Sequence, residues 1–139
     1  MTVPVEADVV SVLRLRDRCA DALGIDVVEA GAGWAVVSMT VRGDMCNCHG
    51  TCHGGIIFTL ADTAFGYACN SHNVNTVASA ASVEFLHPVP EGATIRARAE
   101  QRWARSKSGV YDVVVELDDG TAVALFRGRS HSIGGSVVP

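Results

Sequence analysis

The chain has 139 residues, 48% of them hydrophobic and 19% charged, and a formal net charge of -4 at neutral pH. That balance excludes a disordered chain, provides enough apolar side chain for a core, and argues against a nucleic-acid partner. The length is that of one domain, expected over residues 1–139.

The first element is a helix over Asp8–Leu23, where Val9, Val12, Leu13, Arg16, Cys19, Ala20 and Leu23 recur at helical spacing and Gly24 follows as a stop. The N-terminus carries Glu6 and Asp8 instead of a basic start and an apolar run, so no signal peptide is expected. Ile25–Glu29 and Trp34–Arg42 read as strands joined through Ala30-Gly31-Ala32-Gly33. Asp44–Thr51 has no period and is rich in Cys, Asn, Gly and His, which makes it a loop. Gly54–Ser71 is an apolar helix, too short to span a bilayer and interrupted by Asp62. No membrane partner is expected.

Four strands follow. Thr76–His87 stops at Pro88 and Pro90. Thr94–Trp103 alternates, with Ile95, Ala97 and Ala99 opposite Arg96, Arg98 and Glu100. Ser106-Lys107-Ser108-Gly109 turns into Val110–Leu117. Asp118-Asp119-Gly120 is a hairpin signal before Thr121–Ser132. Short connections imply antiparallel neighbours, and one apolar helix against a long antiparallel sheet is an α+β arrangement with the sheet curved around the helix.

Asp62 is the only charge between His53 and His72. A helix that is apolar all round is normally buried, and a carboxylate there is costly unless paired or hydrogen-bonded. Asp62 is therefore a candidate site residue with a tunable pKa; the plainer alternative is a buried Asp that bonds a loop backbone. His53-Gly54-Gly55 opens the helix. A helix N-terminus offers unpaired N–H groups and partial positive charge, and two glycines allow close approach, so the place suits a developing oxyanion. The same glycines also suit tight packing of helix against strand. Gly54 and Asp62 are eight residues apart, about 12 Å along a helix axis. That gap does not close on one reacting carbon, so joint action requires two copies of the helix, antiparallel across a two-fold axis.

Cys46, Cys48, His49, Cys52 and His53 are all zinc-ligand types, but structural zinc sites usually combine two ligand pairs from separate segments, and no second pair exists. No metal and no cofactor are expected. Cys52, beside the helix N-terminus, is a candidate nucleophile of lowered pKa; as a small buried hydrophobe it would be inert. The five cysteines, an odd number without a secretion signal, point to free thiols and the cytoplasm. Seven of the eleven basic residues lie between Arg96 and Arg129, a pattern that suits a small anionic ligand or a solvated strand face.

At Asn47, Cys52-His53-Gly54-Gly55, Leu60-Ala61-Asp62-Thr63-Ala64-Phe65, Tyr67-Ala68-Cys69-Asn70-Ser71, Gly109-Val110-Tyr111-Asp112 and Ala124 to His131 the chain resembles a hotdog-fold acyl-CoA thioesterase, most closely the phenylacetate-pathway (PaaI-type) group. The likeness runs from about Asp8 to the end of the last strand. It implies a curved antiparallel sheet around one long helix, and hydrolysis of an aromatic (phenylacetyl-type) or medium-chain acyl-CoA. It implies Asp62 as general base, the Gly54 N–H polarising the thioester carbonyl, assisted by the Asn47 amide, and His53 orienting the carbonyl or assisting the thiolate. Gly55, Phe58 and Phe65 would contact the acyl group, and Arg105 and Lys107 the coenzyme A phosphates. The hydroxyl that relatives carry one turn after the acid is here Gly66; Ser79 or Ser82 would have to replace it. The partners implied are acyl-CoA and the chain itself, as a homodimer or a dimer of dimers with shared sites. A non-catalytic acyl-CoA-binding module and a zinc-binding regulatory domain are the competing readings.

Overall fold

The structure is a computed structural model and describes residues 5–139. The single domain expected over 1–139 and the absence of a leader both include residues 1–4, outside the described residues. The first helix is two helices. α1 (Val5–Arg16) ends at Asp17, and α2 (Arg18–Leu23) begins after it. Asp17 takes an extended backbone, and its Oδ1 accepts the Ala20 N–H at 3.0 Å. An Asp side chain that satisfies a free N–H starts a helix as readily as it continues one, which is why the uninterrupted periodicity misled. Cys19, expected on the inner face, is exposed as a result. Gly24 closes α2 in the left-handed conformation (φ 67°).

The strands are β1 (Asp26–Gly31), β2 (Trp34–Thr40), β3 (Thr76–Phe85), β4 (Thr94–Arg105), β5 (Ser108–Leu117) and β6 (Ala122–Ser132). They form one antiparallel sheet in the order β1-β2-β4-β5-β6-β3. The expected strands are all present, with ends shifted by at most two residues. α3 (Gly54–Asn70) lies across the sheet, packed on β2, β4 and β5 and reaching β3 and β6. Alternation does this work: Ile95, Ala97 and Ala99 are 0% exposed while Arg96 and Arg98 face outward. On β5, Tyr111, Val113 and Val115 repeat the pattern, and on β6 Phe126 and Gly128.

Two surfaces of the fold stay open. β3 is an edge strand whose residues are exposed on both faces along most of its length. α3 is apolar but not buried all round, a correction to the expectation. Leu60, Ala61, Ala64, Phe65 and Ala68 are buried, while Gly55, Thr59, Asp62, Thr63, Gly66 and Asn70 form an open or half-open stripe. Among the described residues no helix is long and apolar enough to cross a membrane.

Candidate active site

The loop before α3 is held by its own polar groups. Asn47 Oδ1 accepts the His49 and Thr51 N–H groups at 2.9 and 3.2 Å and the Thr51 hydroxyl at 3.3 Å. The Asn47 and His53 N–H groups donate to Thr51 and Met45 carbonyls, each at 2.8 Å, and so bring the loop ends together. His53 is the N-cap of α3, exposed, with no side-chain capping bond. Its carbonyl accepts from Ile56 and Ile57, whereas no backbone carbonyl among the described residues accepts from the N–H of Gly54 or Gly55.

Asn47 and Gly54 open into one hollow of about 400 Å³, shared with Cys52, Ile57, Phe85, Leu86, His87 and Pro88. Phe85 and Leu86 are half-exposed there, at 52% and 53%. A Cβ on Gly54 would come within 3.1 Å of the Phe85 ring, so this glycine is fixed by close approach. Gly55 has open space beside it. Sequence reasoning missed Phe85 and Leu86; the signal was an apolar pair at a strand end just before Pro88.

Asp62 opens into a different hollow, about 420 Å³, with Leu13, Arg16, Asp17, Cys19, Thr59, Thr63, Gly66, Tyr67 and Asn70. Its carboxyl pKa is raised, first by desolvation and then by the charge of Asp17. Asp17 is fixed by Tyr67, whose hydroxyl donates to Asp17 Oδ2 at 2.8 Å. Burial and that carboxylate push the Tyr67 phenol well above its ordinary value. Asp17 and Tyr67 were not foreseen, since their meeting is decided by how α1 and α2 lie on α3. The nearby Thr59 and Thr63 hydroxyls donate to the Gly55 and Thr59 carbonyls of their own helix, at 2.9 and 2.7 Å.

The other expected contacts divide. Phe58 is half-buried with its ring edge-on to Phe126 at 5.2 Å. Phe65, expected as a pocket wall, is instead 1% exposed in the core, against Tyr111, Phe126 and the bare backbone of Gly128. The helix period placed it, because Phe65 falls with Ala61, Ala64 and Ala68 on the sheet-facing side. Arg105 and Lys107 are exposed at the β4–β5 turn. Its neighbours Ala104, Ser106 and Ser108 share a hollow with Cys69 and His72 at the C-terminal end of α3, so within one chain the turn is remote from Gly54. Arg127, in the same basic stretch of the chain, is paired with Asp112, its Nη2 2.9 Å from Oδ2. Ser79 donates to the Arg129 carbonyl at 3.2 Å, and Ser82 lies on the exposed edge strand.

Of the two readings of Cys52 the structure supports the small buried hydrophobe over the thiol of lowered pKa: burial first, and then Cys46, pushes this thiol up to about 11. Cys69 is pushed up to about 12, chiefly by burial. Neither is a ready thiolate. Among the described residues no three His, Cys, Asp or Glu side chains converge as metal ligands would.

The sequence matches the Thioesterase superfamily over residues 49–124. It is 50% identical over 121 residues to the acyl-coenzyme A thioesterase PaaI of Escherichia coli K12, covering 87% of this chain and 86% of that one. The solved structure of the E. coli PaaI protein from the phenylacetic acid degradation operon superposes with a TM-score of 0.94 at 46% identity, over 95% of this chain and 96% of that one. A Streptococcus mutans UA159 protein solved bound to acetyl CoA aligns with a TM-score of 0.78 at 26% identity, over 81% and 90% of the two chains. An antiparallel sheet around one long helix, with near half of the residues shared with PaaI along almost the whole length, has one reading: this chain belongs to the thioesterase superfamily and is a thioester hydrolase of the hotdog fold.

Proposed function

We propose that the chain hydrolyses an acyl-CoA thioester, with an aromatic (phenylacetyl-type) or medium-chain acyl group, at a site shared between two copies of α3. The observation that carries this reading is the position of its two chemical halves. The free N–H of Gly54 lies at one hollow, with the N–H of Gly55 beside it also unbonded to any backbone carbonyl, and the half-buried Asp62 opens into another. Apposed antiparallel, two copies of the stripe Gly55, Thr59, Asp62, Thr63, Gly66 and Asn70 bring Gly54 of one toward Asp62 of the other. Small side chains permit that approach, and the exposed edge of β3 offers unpaired backbone to a second copy. The coenzyme A partner is supported by PaaI and by the relative solved with acetyl CoA.

In the proposed reaction the thioester oxygen accepts from the Gly54 N–H at the positive end of α3. Asp62 of the other copy takes a proton from water as the water oxygen attacks the acyl carbon. The tetrahedral intermediate collapses, the C–S bond breaks, and the proton passes from Asp62 to the departing thiolate, with His53 at the mouth of the site. A raised carboxyl pKa makes Asp62 a better base than an ordinary surface carboxylate, and the thiolate is a good leaving group. The half-exposed Phe85 and Leu86 supply an apolar wall for the acyl group beside Gly54, and Phe58, half-buried against Phe126, is assigned to the same group. Arg105 and Lys107 would reach coenzyme A phosphates only from a neighbouring copy, given their place at the far end of α3. Five unpaired thiols suit a reducing compartment, and we assign the protein to the cytoplasm.

The test is a hydrolysis panel of phenylacetyl-, hydroxyphenylacetyl-, medium-chain and acetyl-CoA, read by thiol release, with Asp62→Asn as control. Aromatic or medium-chain turnover that vanishes in the variant supports the proposal. Unchanged turnover by the variant removes Asp62 as base, and no turnover of any acyl-CoA leaves the non-catalytic binding module.

A further inference from the structure

The Cys- and His-rich loop contains a pair that the hydrolytic reaction does not use. Cys46 and Cys52 face each other across an isolated antiparallel bridge. The flanking bonds fix its type: Asn47 N–H donates to Thr51 O, and His53 N–H to Met45 O, each at 2.8 Å. Cys46 and Cys52 are thus the non-hydrogen-bonded pair between two ladder bonds. Such pairs bring Cα atoms to about 4.5 Å with both side chains on one side of the ladder. A disulfide spans Cα separations of about 4.4 to 6.8 Å, so this backbone needs no rearrangement to hold one. Neither thiol has a strong partner: Cys46 Sγ donates to Arg42 O and Cys52 Sγ to His53 O, both at 3.6 Å. Rotation about each Cα–Cβ bond gives up only these weak contacts.

We propose that Cys46 and Cys52 are a redox modification site, a thiol pair that closes to an intramolecular disulfide on meeting a peroxide and reopens under a dithiol. The two thiols divide the roles by exposure. Cys46 is half-exposed and meets the oxidant; Cys52 is buried against the loop and resolves. Cys46 sulfur attacks one peroxide oxygen, the O–O bond breaks, and Cys46 sulfenic acid and one water result. Cys52 sulfur then attacks Cys46 sulfur, the S–S bond forms, the S–O bond breaks, and the departing hydroxide leaves as water with the Cys52 proton. Two thiols and one peroxide become one disulfide and two waters, with two electrons passing from sulfur to oxygen. Burial pushes the Cys52 thiol up to about 11, which protects it from the peroxide, and Cys52 gives up its proton only as its sulfur attacks the Cys46 sulfenic acid. Cys52 is also a wall of the hollow shared by Asn47 and Gly54, so the new bond would form at a residue bordering the candidate site. Reducing cytoplasm is no obstacle, since disulfides there are characteristically transient and sensing.

The test treats the full chain with a few equivalents of hydrogen peroxide, counts free thiols, and maps the cross-link by differential alkylation and fragmentation mass spectrometry. The expected result is a fall from five thiols to three, a Cys46–Cys52 link, and full return under dithiothreitol. Cys48→Ser should leave the link intact, and Cys46→Ser should abolish it. Cys46 is half-exposed, so its serine variant should fold, and a circular dichroism melt checks this; Cys52→Ala serves as the second variant. Five thiols retained, a link that runs through Cys48 or Cys19, or oxidation that stops at sulfinic acid would each overturn the proposal.

Discussion

The Tyr67 hydroxyl donates to Asp17 Oδ2 at 2.8 Å, and through that bond the break between α1 and α2 is fastened to α3. Asp17 Oδ1 meanwhile caps α2, so one carboxylate serves two elements. The same carboxylate lies in the hollow of Asp62 and raises its pKa, second to desolvation. Fold and candidate chemistry meet at this residue. Tyr67→Phe should cost about 1.5–3 kcal/mol, the range for a hydrogen bond to a charged group, read as a lower urea midpoint with unchanged slope. Asp17→Asn should also move the acid limb of kcat/KM to lower pH, because a charge that disfavours ionised Asp62 is gone. An unmoved limb would deny Asp17 that influence.

The pH dependence of turnover has a definite sign. Asp62 acts as a base only when ionised, and its pKa is raised above 3.8, so activity should rise with pH through a limb above the ordinary carboxylate value. Stability runs the other way. A raised native pKa means that the folded chain holds this proton more tightly than the unfolded chain, a contribution complete below the unfolded pKa and lost as pH rises through the native one. Asp62→Asn should therefore lose about 10²–10⁴ in kcat while melting at neutral pH no lower than the parent. A strongly destabilised variant would return Asp62 to a structural role.

Gly54 permits a test of one N–H. It is the first residue of α3, where proline is well tolerated, and His53 before it already has the extended conformation (φ -56°, ψ 136°) that a following proline requires. Gly54→Pro removes the donor, while Gly54→Ala keeps it and places a similar Cβ against Phe85. Proline should cost about 10²–10³ in kcat, as loss of one oxyanion donor does, and alanine much less. Equal losses would point to displacement of Phe85 instead of the missing N–H.

Sharing of sites between copies predicts complementation. Asp62→Asn and Gly54→Pro are each inactive under the proposal, but a mixed pair contains one site with both native halves. Mixing after verified subunit exchange should restore up to about half of the parental turnover per such dimer, since a two-fold interface holds two equivalent sites. No recovery in mixed assemblies would place both residues in one chain's site.

Two phenylalanines on α3 should behave differently. Phe65 lies in the core, and Phe65→Ala should cost about 3–5 kcal/mol of stability. Phe58 is half-buried beside Phe126, and Phe58→Ala should act mainly on KM for bulky acyl groups. Thermal melts and acyl-chain profiles separate the two effects.

Much of this molecule was legible along the chain. The alternation of Ile95, Ala97 and Ala99 with Arg96 and Arg98 fixed which side of β4 is buried, because side chains on a strand alternate by geometry alone. The apolar run with Asp62, the glycines at the helix start and the segments shared with hotdog thioesterases were likewise local patterns. Tertiary structure alone decided the rest. A carboxylate competing with the helix backbone at Asp17 broke α1 from α2, and the seat of those helices on α3 brought Asp17 to Tyr67. Burial on one side of α3 drew Phe65 into the core and left Asp62 on the open stripe. The ladder bonds around Cys46 and Cys52 set two thiols face to face. Periodicity records which way a side chain points, but its partner depends on packing between distant segments, which no local spacing encodes.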